Sequence, residues 1–144
     1  MAVFTKINIK DISQIENQFN LGKIKIFKGI KKGIENTNYV LQTKKNKYIL
    51  TIFEKRIHGG CKSKDLPFFM NLMSKLSKLK IKCPEPIKNK NGKFIFKLKN
   101  KNACIVTFLR GQDKKQLNAN DCFTVGKNIA KLHKVSAKIK LFRK

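Results

Sequence analysis

The spacing of apolar residues changes several times along the chain. Ile12, Ile15 and Phe19 recur at three- and four-residue intervals, which predicts a short helix over 11–19 with Asp11 as N-cap and Gly22 as the stop beyond it. KIKIFKGI at 23–30 begins by alternating Lys and Ile and predicts a strand. NYVLQT at 38–43 and KYILTIF at 47–53 are β-rich, and the polar stretch Lys44 to Lys47 between them predicts a hairpin. HGGCKSK at 58–64 reads as a loop. After Asp65, read as a cap, Leu66, Phe69, Leu72, Met73, Leu76 and Leu79 fall on one helical face. Pro67 is tolerated in the first turn, where amides lack intrahelical partners, and Pro84 and Pro86 stop any continuation. FIFKL at 94–98 and ACIVTFL at 103–109 predict two strands around a turn at Lys99 to Asn102. Gly111 opens a polar linker. A last helix is expected from Asp121, again read as a cap, to Val135, with Phe123, Val125, Ile129, Ala130, Leu132 and His133 periodic. Helix, three strands, helix, two strands, helix is an α+β order: a five-stranded antiparallel sheet with one packed helix, followed by the helix of a further unit.

A length of 144 residues with 41% hydrophobic and 29% charged residues suits a globular fold. The net charge of +26 points first to nucleic acid. The cations, however, are 31 Lys against 3 Arg, and Ile (17), Asn (14) and Phe (11) are abundant too. These are the residues of A+T-rich codons. A nucleic-acid binder gains from the planar Arg fork and gathers its cations on one face, whereas lysines here occur in every segment. The charge is therefore read as compositional drift, with no specific nucleic-acid partner. No stretch is long enough to span a bilayer, and MAVFTKINIK is no secretory signal, so a cytoplasmic protein without a membrane partner is expected. Cys61, Cys83, Cys104 and Cys122 form no CxxC pair, and His58 and His133 have no zinc-finger spacing; four reduced thiols are expected.

The candidate chemistry lies between the first two strands, in FKGIKKGIENTNY. Gly29 and Gly33 allow a turn whose amides can face a phosphate, and Asn36 and Asn38 can either fix that loop or donate to phosphate oxygens. Gly and Asn also build ordinary β-turns, so this motif alone leaves both readings open.

Longer segments are more specific. MAVFTKI, LGKIKIFKGIKKGIENTNYVLQT, YILTIFEKR, DLPFFMNLM, CPEPI, ACIVTFLRG and VGKNIAKLH, in this order and over essentially the whole chain, resemble the bacterial homoserine kinases of the aminoglycoside-phosphotransferase and choline-kinase-like type. The resemblance implies a protein-kinase-like small lobe at 1–109 that binds nucleotide. Residues 110–144 would then be a hinge linker and the first helix of an incomplete large lobe. It also implies ATP as phosphoryl donor, Mg²⁺ held in the large lobe, and L-homoserine as acceptor, in threonine synthesis. The loop over the phosphates would comprise Gly29, Ile30, Lys31, Gly33, Asn36 and Asn38. Thr107, Phe108 and Leu109 would form the hinge that meets adenine, although Phe108 and Leu109 equally suit plain strand core. Ile30, Val40 and Ile49 would lie near the base.

The sequence departs from the wider kinase pattern in its third strand. Thr51 stands where related kinases place a Lys or Arg, and Phe69 falls near the position of that cation's Glu partner. Lys55, with Glu54 or Arg56 nearby, is the candidate substitute; an exposed strand-end lysine is the alternative. No HxDxxxxN catalytic loop occurs. The 144 residues are thus expected to be an N-terminal fragment, inactive alone and open to a complementing C-terminal part. Competing readings keep the fold with another acceptor (choline, an aminoglycoside, methylthioribose) or make the chain a basic RNA-associated domain.

Overall fold

The structure, a computed structural model, describes residues 3–31, 35–54 and 63–141. In chain order the elements are α1 (Ile9–Gln18), β1 (Ile24–Gly29), β2 (Thr37–Thr43) and β3 (Lys47–Ile52), then a 3-10 turn at Ser63–Asp65. They continue with α2 (Leu66–Lys78), β4 (Ile95–Leu98), β5 (Lys101–Thr107) and α3 (Ala119–Ser136). The strands form one sheet in the order β1-β2-β3-β5-β4, with every neighbouring pair antiparallel.

The period-two pattern decides what covers each face. Tyr39, Leu41, Leu50, Ile52, Phe96, Leu98, Ala103 and Ile105 turn to one face and pack with Ile12, Ile15 and Phe19 of α1 and its flanks. Phe19 meets Phe96 edge-on, with ring centroids 5.0 Å apart. Fully burying a side chain of this size stabilises by about 1.5–3 kcal/mol, so this is the larger core. The opposite face carries Ile49, Phe53, Ile95, Cys104 and Val106, and α2 lays Phe69, Met70 and Met73 against them. The sheet is therefore covered by a helix on each side, one more than the single packed helix expected.

Two helix starts differ from the sequence reading. Asn8, not Asp11, is the N-cap of α1, and Asn118, not Asp121, that of α3. In each, the Asn side chain accepts from the aspartate amide three residues on (3.1 Å and 3.0 Å) and the aspartate accepts from the Asn amide (2.8 Å and 3.1 Å). This reciprocal box satisfies two orphan donors where a lone cap satisfies one. Asp65 occupies the N-cap position of α2 but makes no capping hydrogen bond. The 3-10 turn already brings it into helical backbone, at φ −84° and ψ −15°.

The β4–β5 turn is tighter than expected. Lys99 and Asn100 alone form it, both left-handed (φ 49° and 62°), so β5 starts at Lys101. β5 also ends earlier, at Thr107, because its last partner in β3 is Tyr48. Beyond the end of β4, the CPEPI segment runs along β5: Ile87 N donates to Ile105 O (2.8 Å) and Thr107 N to Glu85 O (2.9 Å). α3 has no buried residue, and Phe123, Val125 and Ile129 are exposed. It meets α2's end through Lys131 Nζ, which donates to Lys80 O at 2.9 Å.

Candidate nucleotide site

The glycine loop leaves β1 and returns into β2. Gly29 pairs with Tyr39, and Ile30 N donates to Asn38 O at 2.8 Å, closing the base of the loop. Lys31 is exposed; Gly33 lies outside the described residues. Of the two uses open to the asparagines, the bonds seen are those that fix the loop. Asn36 Oδ1 accepts from Glu54 N (3.2 Å), and Asn38 Oδ1 accepts from the Thr51 hydroxyl (2.8 Å). Asn38 Nδ2 also donates to Asn36 O, at 3.4 Å.

α2 covers the β3–β5–β4 half of its face. On the β1–β2 half, Ile30, Asn38 and Val40 are half-buried and belong to neither core cluster, while Ile49 borders the α2 cluster. This half offers an apolar shelf (Ile30, Val40, Ile49) that runs from the glycine loop toward the end of β5.

Of Thr107, Phe108 and Leu109, the residues expected to form a hinge, two have their amides committed. Thr107 N donates to Glu85 O, and Phe108 N to Lys47 O at 3.2 Å. Among the described residues no such bond engages the Leu109 amide. Phe108 and Leu109 are 38% and 49% exposed, which removes the strand-core reading for both.

The third-strand departure has a structural counterpart. Thr51 spends its hydroxyl on Asn38, and Phe69 sits in the apolar cluster under the sheet. These two positions carry a hydroxyl–amide link between β3 and β2 and an apolar contact beneath it. Lys55, Arg56 and His58 lie outside the described residues; His133 is exposed on α3.

Sequence reasoning gave Glu54 only a passing part, and the structure gives it a larger one. Its carboxylate is buried and accepts from the Thr5 hydroxyl (2.6 Å), the Thr37 hydroxyl (2.7 Å) and Lys101 Nζ. Burial by itself raises its pKa; the hydrogen bonds from Lys101, Thr5 and Thr37 and the Lys101 charge outweigh it and hold the group below its ordinary value of 4.5. The partners lie 49, 17 and 47 residues away, so no local pattern announces them. Cys104, opposite Thr51 in the register, is buried and its thiol is pushed up to about 12 by desolvation. Cys83, Cys104 and Cys122 are all free thiols. Among the described residues no group of three His, Cys, Asp or Glu side chains gathers that could hold a metal ion.

An open cleft of about 1030 Å³ lies at the β2–β3 hairpin, lined by Lys44, Lys45, Lys47, Tyr48 and Arg110 among others. It includes Thr107 and Phe108 but, among the described residues, none of the glycine loop, nor Val40 or Ile49, so it is a separate feature.

A five-stranded antiparallel sheet of this order, with a helix after β3, is the small-lobe fold of kinase-like phosphotransferases. Residues 26–144 match the phosphotransferase enzyme family (APH), and the chain belongs to that family. Among curated relatives, the homoserine kinase of Beijerinckia indica is 39% identical over 95% of this chain, and that of Bartonella henselae 38% identical over 100%. The chain spans 41% and 44% of their respective lengths. Among solved structures, spectinomycin phosphotransferase APH(9)-Ia, in complex with ADP and spectinomycin, superposes with a TM-score of 0.67 at 15% identity, covering 91% of this chain and 39% of that one. A microcompartment-associated aminopropanol kinase gives 0.67 at 14%, covering 92% and 42%. At these identities the two likenesses establish the fold.

Proposed function

We propose that this chain is the nucleotide-binding lobe of an ATP-dependent kinase that phosphorylates the hydroxyl of L-homoserine, a cytoplasmic step toward threonine. The single observation that carries the acceptor is the relatives' identity: homoserine kinases align along 95–100% of the chain at 38–39%. In this reading residues 1–109 form the lobe, and residues 110–144 form the hinge linker and the first helix of the large lobe.

The chain's own residues have three tasks. Ile30, Val40 and Ile49 cover the purine and exclude water from one side. The Leu109 amide, with backbone of Thr107 and Phe108, orients the base. Amides of the loop from Gly29 to Asn38, held in place by the Asn36 and Asn38 side chains, meet the phosphates, with Lys31 and Lys55 as flanking cations. ATP supplies the γ-phosphoryl group, and catalysis in such sites is mainly positioning and charge neutralisation. The 144 residues contain no HxDxxxxN segment to orient the acceptor hydroxyl, so the acceptor and Mg²⁺ contacts are assigned to no residue of this chain.

A chimera tests this. Residues 1–109 joined to the large lobe of the Bartonella henselae homoserine kinase, which brings the acceptor contacts, are expected to supply the nucleotide contacts and release ADP in a homoserine-dependent way. The 144-residue chain alone is expected to release none. An inactive but folded chimera, or homoserine-dependent turnover by the chain alone, overturns the proposal.

A further inference from the structure

The segment Val3 to Ile7 lies on the face of the sheet opposite the shelf of Ile30, Val40 and Ile49. Val3 to Ile7 cross the α1 face of the sheet, behind the ends of β1 and β2 from which the glycine loop springs. Phe4 N and Thr5 N both donate to Thr37 Oγ1, at 2.9 Å and 3.0 Å. Tyr39 Oη donates to Thr5 O (3.1 Å) and accepts from Ile7 N (3.3 Å). Thr37 and Tyr39 are the first and third residues of β2, the strand that receives the loop. Thr37 in turn donates to Glu54, which also takes the Thr5 hydroxyl and Lys101, so the segment is tied to β2, to the residues just after β3 and to β5 together.

Gly29 completes the arrangement. A Cβ built on it would lie 2.8 Å from Val3 Cγ2 and 3.5 Å from Tyr39 Cε1. The missing side chain therefore faces the N-terminal segment, on the side of the sheet away from the apolar shelf. Gly29 is not among the residues with left-handed backbone, so the turn itself does not demand glycine there. Real Cβ atoms do not approach a methyl carbon at 2.8 Å, and any larger residue must displace Val3.

We propose that Val3–Ile7 is a strap that sets the position of the glycine loop from behind, and that Gly29 is glycine because the strap lies on it. The consequence for phosphate contact rests on the nucleotide reading above; the strap's hold on the loop does not. Thr37 and Gly29 act here as positioning residues, through the loop.

The experiment uses the whole chain with Gly29→Ala, Val3→Ala and the double substitution. Amide exchange is read at Ile30 and Asn38, with Leu50 and Ile105 as distant controls, and MgADP affinity is measured alongside. Gly29→Ala is expected to speed exchange at Ile30 about tenfold, leave Leu50 and Ile105 unchanged, and weaken MgADP severalfold. Adding Val3→Ala makes room and restores most of both. If glycine were needed for close approach to phosphate instead, Val3→Ala would rescue nothing, and that result overturns the proposal, as does an unchanged Ile30 in Gly29→Ala. A second pair covers the case in which Gly29→Ala does not fold. Thr37→Val should loosen Ile30 while Thr37→Ser should not, and equal behaviour of the two overturns the strap. A wild-type chain that fails to bind MgADP refutes the nucleotide reading alone, since exchange still decides the strap.

Discussion

Burial would push the Glu54 carboxyl toward its neutral form, yet three hydrogen bonds and the Lys101 charge hold it ionised. Its folded-state pKa lies below the ordinary 4.5, so the stability it contributes is complete above that value and is lost as pH falls through the lower folded value. Urea unfolding from about pH 6 to pH 3 should show this loss in the wild type. Glu54→Gln is expected to lose about 2 kcal/mol at neutral pH, Lys101 being a third exposed, and to show a shallower decline below about pH 4.5. An unchanged acid slope in the variant contradicts the assignment. The cysteines give a second residue-scale test. Alkylation of the native chain near pH 8 should label the exposed Cys122 and spare Cys104, whose thiol is both buried and raised to about 12. Equal labelling of the two peptides in the folded chain would mean that the α2 core is open. Neither role was legible in the sequence. Glu54 stands in the EKR run as one more charge, and its partners come from three distant segments brought together only by the sheet.

The two capping boxes are chemically alike, but their helices are not. α1 puts Ile12, Ile15 and Phe19 into the main core, whereas α3 buries nothing. Asn8→Ala should therefore cost about 1 kcal/mol of global stability, while Asn118→Ala should leave the unfolding midpoint where it is and lower only helical content. A matching loss from both would show that α3 belongs to the cooperative unit. At this scale most of the fold could be read beforehand. β-rich runs, alternating in part, located the five strands, and three-four spacing located the three helices; one-face burial imposes that period on α1 and α2, whereas α3 carries it without burying a residue. What failed was local. Asp11 and Asp121 were read as caps because single-residue preference was weighed without the asparagine three positions earlier. β5 was drawn to Leu109 because apolar composition continues past the last residue that has a strand partner.

For the whole molecule, charge is a poor guide to function, because 34 cations against 8 acids are spread over every element but β2. The informative asymmetry is between the two faces of the sheet. One is sealed by α1 and the N-terminal strap; the other is covered by α2 over one half and carries the shelf of Ile30, Val40 and Ile49 over the remainder. The resemblance of long segments implied a phosphate loop and a hinge, but sequence could not show that Asn36 and Asn38 brace the loop or that the Thr107 and Phe108 amides are already committed, since backbone partners leave no mark on side-chain identity. A titration of the isotope-labelled chain with MgADP, followed by amide chemical shifts, addresses the shelf directly. Saturable shifts are expected at Gly29, Ile30, Val40, Ile49 and Leu109, with Ile12 and Phe19 on α1 unmoved. No saturable change, or changes centred on the lysine-lined cleft at Lys44 to Lys47, would contradict the placement of the nucleotide under the glycine loop.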